Sequence, residues 1–193
     1  LKSKWNIFLP LIGCIGIVAI VYLQYKPLIV KQKPSVIVSI QKKDPVENII
    51  KIIQKKQPRL DPATIEPIAI AILKYAKEFN FPPELIICII DRESSFRPIL
   101  TSKATKNSKL GCWGLMQINP PSHPEKIKKL NIKGKQIYHI DNNIHLGCMI
   151  LREYYNSTKS INKTLTKYVG GKHNSYVIDI LSAYTNLTIE KED

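Results

Sequence analysis

Arginine is scarce in this chain of 193 residues: only Arg59, Arg92, Arg97 and Arg152 among 29 basic residues, the others being lysine. Acidic residues are also few, 15 in all, which leaves a net charge of +14. The guanidinium is the better fork for phosphate and for guanine edges, so a surface rich in lysine and poor in arginine argues against dedicated nucleic-acid reading. The excess charge still implies an anionic partner, whether nucleic acid, anionic lipid or an acidic polymer. Metal-ligand patterns are missing. His123, His139, His145 and His173 are scattered, with neither H-E-x-x-H nor paired C-x-x-C spacing. There is no glycine-rich phosphate loop and no internal repeat. The sequence therefore predicts neither metal nor cofactor.

Apolar residues make up 44% of the chain, enough for one main domain with an appendage. Three blocks follow. Trp5 to Tyr25 carries no charged residue over 21 positions. As a helix it reaches about 31 Å, the thickness of a bilayer core. Trp5, Tyr22 and Tyr25 stand as interfacial aromatics, with Lys2, Lys4 and Lys26 just outside. Residues 1–26 are thus expected to form an N-terminal transmembrane anchor. A cleaved secretory signal is disfavoured by the length and by the lack of a small-x-small site. Leu11-Ile12-Gly13-Cys14 has a lipobox form, but apolar residues continue well past Cys14, which then reads as a small buried residue.

Residues 27–60 read as a basic, proline-containing linker. Positions 26 to 60 hold nine basic and two acidic residues, half of the net charge. Within this stretch, Val36–Ile40 suits a short strand and Glu47–Gln54 a short amphipathic helix. A tether is the simpler reading, and a lysine-mediated contact with a membrane surface or cell wall is the functional one.

From Asp61 the pattern turns helical. Asp61-Pro62 makes an N-cap, and Ile65, Ile68, Ala69, Ile72, Leu73 and Ala76 recur at helical spacing to about Asn80. A second helix runs from Glu84 to about Ser94, with 85–90 apolar all round, as expected of a helix in the middle of its domain. Pro98–Trp113 reads as an exposed loop, and further helices are predicted at 122–130, 142–156, 161–169 and 174–187. Residues 61–190 should form a compact, mostly helical domain.

The buried helix runs directly into Asp91-Arg92-Glu93-Ser94-Ser95-Phe96. A carboxyl at the exit of an apolar element is desolvated, which raises its pKa toward the range useful for a general acid. The competing reading makes Glu93 a surface residue paired with Arg92, Arg97 or a lysine.

Three further motifs follow: Gly114-Leu115-Met116-Gln117-Ile118-Asn119-Pro120, a helix opening at Asp141-Asn142-Asn143 and reaching Gly147, and Tyr168-Val169-Gly170-Gly171. In this order and at these separations the set resembles the lytic transglycosylase domain of the lysozyme-like superfamily. That family shows E-S-x-F, G-L-M-Q with a following proline, an N-x-x-x-G helix and A-Y-N-x-G. The resemblance covers about residues 62 to 185 and implies a mostly α, lysozyme-like fold of the goose-type lysozyme and lytic transglycosylase kind. It implies that Glu93 is the single catalytic acid/base. Glu93 would protonate the glycosidic oxygen between N-acetylmuramic acid and N-acetylglucosamine, then take the proton of the sugar's own C6 hydroxyl. The product is a 1,6-anhydro end with no water consumed, so one carboxylate suffices where ordinary glycosidases need two. Asp91, two residues away on a helix, points elsewhere.

The resemblance further implies that Tyr168 is hydrogen-bonded toward Glu93, and that Ser94, Met116 and Gln117 line the substrate groove, with Asn119 beside them. Ser94 also suits a helix cap, and Met116 loop packing. Trp113 is placed either to stack on a sugar or to pack into the core. The chain departs from the family pattern at Lys167-Tyr168-Val169-Gly170-Gly171, where Val169 replaces the usual Asn, and at Cys112, where a very small residue is usual.

Cys88, Cys112 and Cys148 are an odd number, so at most one internal disulfide can form among them. Cys112 with Cys148 is the expected pair, Cys88 being a buried thiol. The expected substrate is the peptidoglycan glycan strand, cleaved from a single-pass anchor in the cytoplasmic membrane, or by a virion-borne enzyme, with the domain on the wall side. The lysine count rises on the C-terminal side of the anchor, which under the positive-inside rule points the other way, so the external placement rests on the substrate. A goose-type muramidase, a non-catalytic wall-binding component of an envelope-spanning machine or virion, and a nucleic-acid binder are the alternatives. The nucleic-acid reading rests on charge alone.

Overall fold

The computed structural model describes residues 44–102, 111–171 and 173–190. The predicted transmembrane segment Trp5–Tyr25 and the linker up to residue 43 lie outside the described residues. Among the described residues no helix is long and apolar enough to cross a membrane.

The order is α1 (Pro45–Lys56), α2 (Pro62–Glu78), α3 (Pro83–Ser94), a 3-10 turn (Pro120–Ser122), α4 (Pro124–Lys129), a second 3-10 turn (Gly134–Tyr138), α5 (Ile140–Thr158), α6 (Ile161–Tyr168) and α7 (Asn174–Ile189). Extended pairing among the described residues is limited to two isolated bridges, Trp113 with Thr101 and Trp113 with Ile118. The domain is therefore mostly helical, as the periodicity predicts.

Local chemistry sets the helix starts. Asp44 and Asp61 accept from the amides of Val46 and Ala63 at 2.9 and 3.0 Å, and each is followed by proline. A side-chain acceptor there satisfies an amide left without an intrahelical partner, and proline gives up an N–H that is unpaired anyway. At the other end of α2, Arg152 of α5 donates to the carbonyls of Phe79 and Asn80. The predicted helix at 122–130 is instead a 3-10 turn and a short helix, divided at Pro124.

α3 lies in the middle. Its residues 84–90 are all buried, with Ile86, Ile87, Ile89 and Ile90 at 0% exposure. α2 packs on α1, α3 and α5, while α7 packs on α3 and α6. This corrects the predicted linker. The stretch 45–56 belongs to the domain, because Ile49 and Ile53 are buried in the core against α2. The lysines and prolines around it made this amphipathic helix read as part of a tether.

Candidate active site

Glu93 sits in the last turn of α3, at the end of its buried apolar run. The chain leaves α3 by two consecutive left-handed residues, Ser95 (φ 50°) and Phe96 (φ 59°). Left-handed backbone disfavours residues with a Cβ. Burial of the Phe96 ring, at 0% exposure, and the bond from the Ser95 amide to the Asp91 carbonyl at 2.9 Å hold this turn.

Burial pushes the Glu93 carboxyl up to about 7, against the opposing effects of a hydrogen bond from Tyr176 and the charge of Arg92. The Tyr176 hydroxyl donates to Glu93 Oε1 at 2.5 Å. The cations beside Glu93 in sequence are engaged elsewhere: Arg92 pairs with Asp179 of α7 at 3.3 Å, and Arg97 Nε donates to the Ser94 carbonyl at 2.9 Å. Among the described residues no ion pair neutralises Glu93, so the carboxyl is poised to hold its proton near neutral pH. Asp91 faces away, with its carboxylate bonded to Lys56 of α1 at 2.8 Å.

The G-L-M-Q segment forms a tight turn, closed by mutual amide-to-carbonyl bonds between Trp113 and Ile118 at 2.8 and 3.0 Å. Gly114 (φ 78°) and Gln117 (φ 45°) supply the left-handed positions. A Cβ on Gly114 would fall 2.3 Å from Asn143 Nδ2, so a side chain is excluded there. Asn143, on α5 and fully buried, accepts from the Met116 amide at 2.8 Å. It also donates to the carbonyls of Trp113 at 3.0 Å and Ile137 at 2.9 Å. One turn on, Gly147 makes room for the Met116 sulfur, which would lie 2.2 Å from a Cβ. The N-x-x-x-G spacing is thus a docking device, one residue binding the turn and the other receiving its methionine.

Several predicted site residues take other places. The Ser94 hydroxyl donates to the Ile90 carbonyl at 3.2 Å, and Ser94 is 1% exposed, so its side chain turns back onto its own helix rather than lining the groove. The Met116 side chain is wholly buried and packs against Gly147, so the groove role predicted for it is also corrected. Tyr168 does not donate to Glu93. Its hydroxyl bonds the Met116 carbonyl at 2.7 Å, and Tyr176 makes the contact expected of it. Trp113 is half-buried and stacks on Tyr138 with centroids 5.3 Å apart, which gives one face of the indole to protein. Gln117 and Asn119 line a cavity of about 440 Å³ together with Tyr168 and His173. The Gln117 amide donates to the carbonyls of Gly114 at 2.8 Å and Leu100 at 3.2 Å, and Asn119 donates to the Gly111 carbonyl at 3.2 Å.

The predicted Cys112–Cys148 disulfide is not formed; both thiols are free, as is that of Cys88. Cys148 lies at 0% exposure on the inner face of α5, whereas Cys112 lies on the cavity wall. Burial pushes the Cys88 thiol up to about 11. Among the described residues no group of three His, Cys, Asp or Glu side chains is placed to hold a metal.

Sequence reasoning missed Tyr176 and the docking role of Asn143. The available signal for Tyr176 was its place on the inward face of α7 with Val177 and Ile180, since a buried phenol needs a polar partner.

Residues 70–178 match the family model described as the transglycosylase SLT domain. The chain belongs to that family, and its mostly helical, lysozyme-like fold is the one the motifs imply. It is similar to an X-ray structure of the lytic transglycosylase Slt, an inactive mutant, from Pseudomonas aeruginosa. That match has 22% identity and a TM-score of 0.46, and covers 70% of this chain and 25% of the other. A complex of the 70-kDa soluble lytic transglycosylase with bulgecin A matches at 19% identity and a TM-score of 0.47, covering 72% of this chain and 25% of that one. The chain thus spans about a quarter of the length of these structures. No curated protein matches it.

Proposed function

We propose that this domain is a peptidoglycan lytic transglycosylase that cleaves the bond between N-acetylmuramic acid and N-acetylglucosamine and leaves a 1,6-anhydro end. The observation that carries the reading is Glu93, a carboxyl raised to about 7 by burial and held by Tyr176 at the end of the central helix. Family membership supports it.

The protonated Glu93 gives its proton to the glycosidic oxygen as the bond from C1 to that oxygen breaks. The resulting carboxylate then takes the proton of the C6 hydroxyl while O6 bonds to C1, which restores the acid. The Tyr176 phenol, donating to Oε1, steadies the carboxylate between the two transfers. Asp91 and Asp179 are engaged with Lys56 and Arg92, and this favours the intramolecular route over a hydrolase that needs a second carboxylate to activate water.

The proposal extends to Trp5–Tyr25 as a single membrane anchor with the catalytic domain on the wall side, for local remodelling or penetration of the wall. An envelope-spanning machine or a virion would be its setting. Protease treatment of intact spheroplasts should then cleave the domain, and protection of it would reverse the orientation. The activity is tested by incubating the protein with peptidoglycan and weighing the released muropeptides. Anhydro ends, lighter by one water than hydrolysed ends, are expected, and their loss in Glu93→Gln. Hydrolysed ends would assign a goose-type muramidase instead, and no release a wall-binding component.

A further inference from the structure

The 440 Å³ cavity beside Tyr168 and Gln117 has a basic character that the proton transfers at Glu93 do not use. None of its described lining residues is acidic, while Lys167, His123 and His173 all line it. The Lys167 ammonium lies 4.6 Å from the centre of the Tyr154 ring and 3.4 Å from the Ser157 hydroxyl, and no carboxylate among the described residues pairs with it. Glu153, next to Tyr154, is paired with Lys126 at 2.5 Å, and its charge, with that of Glu125, reaches His123 across the cavity wall. His123 is half-buried and its pKa is lowered, chiefly by desolvation, which leaves a neutral imidazole able to donate or accept beside the ammonium.

Lys167 is also this chain's own feature, since it stands where the A-Y-N-x-G pattern has alanine. The next residue, Tyr168, bonds the Met116 carbonyl, lines the same cavity and feels the charge of Glu93. An anion held by Lys167 therefore shares a cavity with a side chain that lies within electrostatic reach of the proposed acid.

We infer that Lys167, with His123 beside it, makes this cavity a recognition site for a carboxylate carried on the lactyl arm of a muramyl sugar. The inference rests on the peptidoglycan reading above and adds which part of that polymer the cavity selects. The carboxylate has two sources: the free lactyl group of a stripped glycan, or the stem peptide attached to it.

The test uses the full chain carrying Glu93→Gln, titrated with a muramyl tetrasaccharide bearing stem peptides, the same tetrasaccharide with its peptides removed, and neutral chitotetraose. One of the two acidic ligands should bind about 10-fold more tightly than chitotetraose at low salt, a margin that shrinks as salt screens it. Tighter binding of the peptide-bearing ligand assigns the stem peptide, and tighter binding of the stripped one the lactyl group. Adding Lys167→Met should bring the ratio to about one at an unchanged melting temperature, while Lys167→Arg should keep it. Equal binding of the three ligands, or a ratio that survives Lys167→Met, overturns the inference and leaves the peptidoglycan reading standing. Failure of all three to bind contradicts both.

Discussion

At the scale of the residue, desolvation outweighs two charged-form stabilisers at Glu93 and leaves its carboxyl near 7. The acid must start protonated, so cleavage should fall as pH rises through about 7, measured as kcat/KM across pH 5 to 9. The Tyr176 bond favours the ionised carboxylate. Tyr176→Phe should therefore move the alkaline limb to higher pH, and a shift to lower pH would contradict the assigned role. The same group affects stability. Its folded pKa is raised, so its contribution is fully present below the unfolded value of about 4.3 and is lost as pH rises through about 7. Glu93→Gln should be more stable than the parent by an amount that grows over this window and levels off at about 3 kcal/mol, read from melting curves at pH 4, 6 and 8. Glu93 was legible because an acidic residue just past a run of six apolar ones, followed by Ser-Ser-Phe, is a local pattern. Tyr176 was not, since helical spacing places a phenol inward without naming its partner 83 residues away.

At the scale of the element, α2 was legible from its Asp61 cap and apolar spacing, and α3 from its apolar run. The turn at 114–117 was visible as a motif, but its mechanics were not. Only the fold shows that Asn143 bonds one amide and two carbonyls, and that Gly147 receives a methionine. Asn143→Ala should cost about 2–4 kcal/mol, because it strands three buried backbone groups, and should lower activity by loosening the wall next to Glu93. Denaturant midpoints at constant m-value check it. Ser95→Gly tests the exit from α3 in the opposite direction. Relief of the left-handed conformation should stabilise the fold by about 1 kcal/mol.

At the scale of the whole molecule, the domain includes α1 (Pro45–Lys56) and does not start at Asp61. The charge pattern hid this, because α1 carries lysines on its outer face while Ile49 and Ile53 lock it to α2. A chain beginning at Asp44 should melt cooperatively, whereas one beginning at Asp61 should be destabilised by about 4 kcal/mol or more, the order expected for emptying two core isoleucine sites. Half of the +14 charge that first suggested nucleic acid precedes Asp44, and of the other half Lys167 has a local use at the cavity. In the proposed reaction Glu93 alone moves the proton and the C6 hydroxyl, not water, attacks. Digestion of peptidoglycan in heavy-oxygen water separates the two nucleophiles. Anhydro ends without heavy oxygen, and no release by Glu93→Gln, are expected; heavy oxygen at the new muramyl ends would assign water as the nucleophile and overturn the proposal.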